Sequence, residues 1–483
     1  MSNSFIIGKY TLESLTNGMY ANPFDLLREY VQNAVDSIDV LTETSSELIG
    51  NGCISVVIDS KQQYLSISDN GTGISVKSAY KTLLDIGNSQ KDLKRSRGFR
   101  GIGRLSGLGY CEKLVFTTSF AGESEKSIVT FDSKKLKELL IPGRSNEETL
   151  EEVLMQVVSY SKQPDKGKYH YFKVEMYGVS KNSGLLDYSR VKDYLIQHMP
   201  LPYSRDFRFG EMITSKAAGL QYFIPNYRID LRFDGNDETL FKPYTDVLVS
   251  DRVKHTEERI QDVIVKPFYR DGQVSAILWY AQTNFNGTVL DNLTKGIRIR
   301  KGNILVGDCF TMSRFFKEDR FNGWLVGELF VLDVDVIPNS RRDDFEQNEA
   351  YDILIQQIKE WATQISKDIR KASYQRSLSE ASRKVVETED VNSLMVEDTD
   401  FCGDEFSLIS SEESFEVAQV DLFDKLAVLL GTKDKQTKYA ALNINSKLTS
   451  EQRKTLERVF DIVREIYPED VTKELIDTIA SKF

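Results

Sequence analysis

The sequence predicts a multidomain α+β protein, and three observations predict it. One segment has helical periodicity and carries Glu29, Asn33 and Asp36 on one face. An alternating hairpin follows and ends in Asp69-Asn-Gly71-Thr-Gly73. Strand patterns through the middle of the chain then give way to a long amphipathic helix. With 483 residues the chain is long enough for two to four cores. Its 40% hydrophobic and 28% charged residues are ordinary for a globular protein, and no stretch reaches the ~20 apolar residues that span a bilayer. The N-terminal residues lack a basic-then-apolar leader pattern. Cys53, Cys111, Cys309 and Cys402 stand far apart beside only 3 histidines, which argues against a zinc site or disulfide framework and for a reducing cytoplasm. A net charge of -11 disfavours nucleic-acid binding by the surface as a whole.

The helix is expected from about Pro23 to Leu41, with Asn22 or Asp25 as cap and Pro23 in its first turn. Glu29, Asn33 and Asp36 fall at i, i+4 and i+7, while Leu27, Val31, Ala34 and Ile38 line the opposite face and can pack on a sheet. Taken alone, such a polar face is what any solvated helix shows. In company with the next motifs it becomes a carboxylate able to activate water and, one turn on, an amide oxygen able to hold Mg²⁺ on a phosphate chain.

Ile54–Ile58 and Tyr64–Ser68 alternate as the arms of a hairpin turning over 59–63. Asp69 ends the second arm, where a buried carboxylate can accept the exocyclic amine of adenine. Gly71 and Gly73 permit the tight backbone that lets a flat base approach. A third motif, Gly98-Phe-Arg100-Gly101-Ile102-Gly103, can bring successive N–H groups and a helix N-terminus against phosphate oxygens. It follows no first strand of a βαβ unit and lacks a Gly-Lys-Ser/Thr ending, so neither a dinucleotide fingerprint nor a P-loop fits. The polar stretch 85–97 between them reads as an exposed loop or a lid, with Ser89 and Lys91 placed to touch a nucleotide.

The order Glu29-x-x-x-Asn33-x-x-Asp36, Asp69-x-Gly71-x-Gly73 and Gly98-x-x-Gly101-x-Gly103 resembles the GHKL ATPase superfamily and its Bergerat fold. Within it the chain resembles the ninety-kilodalton heat-shock chaperone branch more than the histidine kinases, since no phosphoacceptor segment precedes the motifs. Leu15–Pro23 is similar to the segment before the first motif in chaperone-like members. The resemblance implies Glu29 as general base, Asn33 as Mg²⁺ ligand and Asp69 as adenine partner. It implies Asp36, Gly71, Gly73 and the loop Gly98–Gly103 as pocket walls. Its implied cofactors are ATP and Mg²⁺, and its implied partners are a second copy of the chain, gathered with ATP, and a partner or client protein. One departure stands out: the family often carries a Gly-Thr pair on a late strand, and Lys168–Met176 has a strand pattern without a threonine.

Residues 1–205 are thus expected to be the nucleotide domain, ending in the helix and Pro-rich crossing of Val191–Phe209. Strands at Ile229–Phe233, Gln273–Trp279, Gly296–Ile304 and Trp324–Leu332 resemble a transducer of the ribosomal-protein-S5 type over 206–345. Its alternating Arg298 and Arg300 also suit a solvated edge strand. Val336–Glu346 resembles the loop that delivers an arginine to the γ-phosphate, and spacing does not decide between Arg341 and Arg342. Ser340 is also suited to cap a helix opening near Asp343. The long helix, 346–387, carries the stripe Tyr351, Leu354, Ile358, Trp361, Ile365 and Ile369, which suits a docking or dimer seam. An acidic linker, 388–415, and a small helical region, 416–483, complete the expected layout.

A slow, Mg-dependent ATPase acting as a nucleotide-gated conformational machine is the function these features imply, chaperone-like or part of a specialised bacterial system such as genome defence. Two rivals share the site. A MutL- or MORC-like DNA clamp would need a basic channel, for which Lys295, Arg298, Arg300, Lys301, Arg341 and Arg342 are the candidates. A scaffold that senses ATP without hydrolysing it would have no use for Glu29.

Overall fold

The computed structural model describes residues 8–11, 22–44, 52–85, 103–141, 148–167, 169–251 and 254–390. The expected linker beyond 390, the C-terminal region and most of the segment before the first helix lie outside them.

Helix α1 (Asp25–Thr44) begins where Asn22 turns the chain, its side-chain oxygen accepting from Phe24 N at 3.2 Å. The expected apolar face, with Leu26 and Val35 added, is buried against an eight-stranded sheet. Seven of those strands are β1 (Cys53–Asp59), β2 (Tyr64–Asp69), β3 (Lys113–Ser119), β4 (Glu125–Asp132), β5 (Val158–Pro164), β6 (Tyr171–Tyr177) and β7 (Arg228–Phe233). With β8 (Asn236–Thr239) they run in the order β5-β4-β3-β6-β2-β1-β7-β8. The hairpin β1–β2 forms in the expected register, Ile54 opposite Asp69 and Ile58 opposite Leu65, and β7 joins β1 in parallel. Alternation sends Ile54, Val56, Leu65, Ile67, Phe116 and Val174 to the helical side. There they meet α1, a 3₁₀ segment at Gly103–Gly109, and α5 (Tyr188–His198), the fifth helix after α2 (Val76–Leu84), α3 (Ser133–Leu139) and α4 (Leu150–Val157).

A second, five-stranded sheet runs β11 (Asp262–Arg270), β12 (Gln273–Gln282), β15 (Val326–Val331), β13 (Gly296–Lys301), β14 (Ile304–Val306). A separate pair, β9 (Val247–Ser250) and β10 (Thr256–Arg259), joins neither sheet's ladder. The turn from β13 to β14 uses Gly302 and Asn303, both at positive φ, as a two-residue hairpin requires. Helix α6 (Gly210–Gly219) packs Ile213 and Ala217 on one face of this sheet with Trp279 and Phe330. Helix α7 (Glu349–Asp390) covers the other.

Four expectations change here. The segment at 228–233 forms a strand but completes the first sheet, after α6 has already packed on the second. The chain therefore crosses between the sheets more than once, and a cut at 205/206 would take two strands from the first. The stripe from Tyr351 to Ile369 is buried within the chain against Leu278, Ile299 and Leu329, so those residues are core and not an open seam. The cap of α7 is Asn348, which accepts from Tyr351 N at 2.9 Å, while Ser340 lies in the loop before it. Finally, β13 is an interior strand, and its arginines are not solvated. No helix among the described residues is long and apolar enough to cross a membrane.

Candidate functional site

The site is assembled on α1. Glu29 is half-buried, and Gly103 presses on it: a Cβ added to Gly103 would lie 2.1 Å from Glu29 Oε2. With no Cβ at Gly103, the backbone comes this near the carboxylate without displacing it. The contact at Gly107 is similar, since a Cβ there would come 2.5 Å from the Tyr30 hydroxyl. That hydroxyl accepts from Gly107 N at 3.0 Å and donates to the Arg104 carbonyl at 3.1 Å, and burial holds it protonated. One turn beyond Glu29, Asn33 is half-buried and Asp36 is buried.

Arg28 is a residue the sequence reading did not single out. It is 5% exposed, lies 3.2 Å from Asp25 Oδ1 and 3.7 Å from Glu29 Oε1, and donates to the carbonyl of Arg341 at 3.1 Å. The loop Pro338–Phe345 thus meets the helix that carries Glu29. Burial raises the Asp25 carboxyl despite Arg28 beside it, and the charge of Asp343 adds to the rise. The two arginines of this loop have different surroundings. Arg341 is exposed. Arg342 is 7% exposed, holds φ at +57°, and stands near Lys301. The Lys301 amine is lowered to about 8, mainly by burial, with Arg342 contributing.

Asp69 ends β2 at 6% exposure and accepts from Gly71 N at 2.9 Å. The loop after it is wedged between α1 and the sheet. A Cβ on Gly71 would come 2.7 Å from the Ser37 carbonyl carbon, and one on Gly73 would sit 2.0 Å from the Ser119 carbonyl oxygen. Gly73 also needs φ of +65°. Thr72 N donates to the Ser37 carbonyl at 3.4 Å, and Ile74 N to the Thr118 hydroxyl at 2.8 Å. Opposite Asp69 on β6 stands Phe172, and the threonine that laces this loop comes instead from β3. Gly71 O accepts from His170 Nδ1 at 2.5 Å.

Arg104 donates to the carbonyls of Thr82 and, at 2.6 Å, of Asp85, tying the end of α2 to the start of the 3₁₀ segment. Between these two points, Ser89, Lys91, Gly98, Arg100, Gly101 and Ile102 lie outside the described residues. Of the sequence-derived site, the structure therefore brings Glu29 to Gly103 and sets the Asp69–Gly73 loop against Ser37 of the same helix.

Residues 21–160 match the model of the family described as histidine kinase-, DNA gyrase B-, and HSP90-like ATPase. That stretch resembles a GHKL-superfamily ATPase module. The module resembles the HSP90/HtpG branch. Similarity to the chaperone protein HtpG of Buchnera aphidicola is 33% identity over 140 residues, 25% of this chain and 22% of that protein. To HtpG of Roseobacter denitrificans it is 31% over 141 residues, 26% and 23%. To HtpG of Wigglesworthia glossinidia brevipalpis it is 29% over 144 residues, 26% and 23%. The aligned stretch thus spans less than a quarter of each relative. The two-layer arrangement of the first sheet and its helices is of the Bergerat type that this module implies.

Proposed function

We propose that the GHKL module binds ATP with Mg²⁺ and hydrolyses it slowly, and that turnover drives a change of contact with a second protomer or a partner protein. The observation that carries this reading is the convergence on α1: Glu29 against the Gly103 backbone and the Asp69 loop against Ser37. Glycines at 71 and 73 sit where a side chain would collide with backbone, and Gly103 lies against the Glu29 carboxylate, which fits a cradle for a flat base at one end and phosphates at the other.

In this reading Asp69 accepts the exocyclic amine of adenine. The amide oxygen of Asn33 suits a hard divalent ion, and ATP phosphates and water would complete its shell. Among the described residues no group of three or more His, Cys, Asp or Glu side chains converges to hold a metal, which fits an ion that arrives with the nucleotide. When bound, Mg²⁺ neutralises phosphate charge. The chain's own part is to orient: Glu29 draws a proton from water, Arg28 lies against Glu29 and anchors the Arg341 backbone, and the exposed Arg341 side chain meets the charge that develops on the γ-phosphate. Arg342, buried beside Lys301, is better suited to shaping its loop.

Of the six residues that a DNA clamp would need in a basic channel, two on β13 do not offer their charge to a surface. Arg298 and Arg300 are each 1% exposed, and Arg298 is spent on the carbonyls of Lys295 and Asn292.

Glu29→Ala tests the proposal. Calorimetry should show Mg-ATP binding retained while turnover falls by about 10²- to 10⁴-fold. Light scattering of this variant with and without Mg-ATP then asks whether ATP gathers two copies. Near-normal turnover would remove Glu29 as the base.

A further inference from the structure

We propose that His170 is a positioning residue for the base pocket: by holding the Gly71 carbonyl it fixes the loop from which Asp69 meets adenine. The inference rests on the reading of Asp69 as the adenine partner. Gly71 is held at both of its backbone polar groups. Its N–H donates to Asp69 Oδ1 at 2.9 Å, and its carbonyl accepts from His170 Nδ1 at 2.5 Å. A carbonyl can only accept, so Nδ1 carries the hydrogen. On the third side Gly71 is packed against Ser37 of α1 too closely for a Cβ.

His170 stands just before β6, and two residues later Phe172 faces Asp69 across the β2–β6 ladder. The ring therefore spans from the strand that flanks the carboxylate to the loop that leaves it. That loop contains two glycines and is costly to order, so a fixed carbonyl at Gly71 lowers what nucleotide binding must spend on arranging it. His170 touches none of the groups assigned to hydrolysis, and its effect belongs to recognition of the base.

The measurement is the affinity of the whole chain for Mg-ATP and Mg-ITP, which replaces the exocyclic amine by an oxo group, together with turnover at saturation. His170→Ala should weaken ATP binding by about 10-fold, the loss of one well-placed hydrogen bond, and leave ITP binding and saturated turnover unchanged. His170→Asn, whose amide nitrogen can occupy the place of Nδ1, should restore the preference for ATP. An unchanged ATP-to-ITP ratio in His170→Ala overturns the proposal, as does equal loss of both nucleotides. If the unaltered protein binds ATP and ITP equally, the Asp69 reading itself fails; if it prefers ATP and His170→Ala keeps that preference, only the inference about His170 fails.

Discussion

Around β1 and β2 the carboxylates of Glu29 and Asp69 are approached by glycine backbone, whereas around β13 and β15 the Glu328 carboxylate is enclosed by cationic side chains. Lys242 Nζ lies 2.8 Å from both Glu328 oxygens, Arg300 Nε bonds the same group, and Tyr203 donates to it at 2.6 Å. Trp279 Nε1 donates at 3.1 Å, and Arg300 reaches on to the Gln197 carbonyl at the end of α5. Lys242, Arg300 and Glu328 are all fully buried. The first arrangement brings backbone, with few side chains, to its carboxylates. The second consumes its charges internally and joins α5, the Tyr203–Lys242 segment and the second sheet.

The largest expected effect separates the two kinds of carboxylate. Glu328→Gln leaves Arg300 and Lys242 buried without their counter-charge and should cost about 3–5 kcal/mol of folding free energy, measured by urea unfolding. Where the variant remains folded, its affinity for Mg-ATP should match the unaltered chain. Asp69→Asn should do the reverse, weakening Mg-ATP binding by about 10- to 100-fold with little change in stability. If each variant harmed stability and binding alike, the contrast between the regions would be lost.

This contrast also explains what the sequence could reveal. Glu29, Asn33, Asp69, Gly71, Gly73 and Gly103 are recognisable because glycine and carboxylate spacing is local, set by one helix, one hairpin and one turn. Arg28 passed unnoticed because a cation beside a carboxylate on a helix has no distinctive spacing, and its partner Arg341 is over 300 residues away. The Arg298/Arg300 alternation suggested a solvated edge or a DNA surface because Glu328 and Lys242 become neighbours only when β15 inserts beside β13. Likewise the stripe on α7 shows amphipathicity but not which surface satisfies it; the sheet of the same chain does. The parallel pairing of β7 with β1 carries no local signal at all.

Smaller effects sharpen the arginine assignment. Arg341→Ala should slow saturated turnover by about 10-fold or more with ATP affinity nearly unchanged, as expected for a group that meets developing charge. Arg342→Ala should act mainly on stability, because its side chain is buried and its backbone is held by Asn339 and Gly307. Single-turnover rates and melting temperatures of both variants distinguish the roles, and the reverse pattern would assign the phosphate-facing role to Arg342.

The gentlest test uses acid. Burial alone would raise the Glu328 carboxyl, but Arg300 and Lys242 hold it at about 2, below its ordinary 4.5. As pH falls through 4.5 the unfolded chain takes up this proton first, so the stability the cluster contributes is complete above that value and drains away toward 2. Urea unfolding at intervals from neutral pH downward should therefore show a steeper acid loss in the unaltered chain than in Glu328→Gln, which has no such proton to bind. The two curves should converge as acidity increases, since both chains then lack a carboxylate at this position. Parallel curves would mean that Glu328 titrates alike in the folded and unfolded states. The cluster on β13 and β15 would then not be the closed ionic lock that distinguishes it from the glycine-lined site on α1.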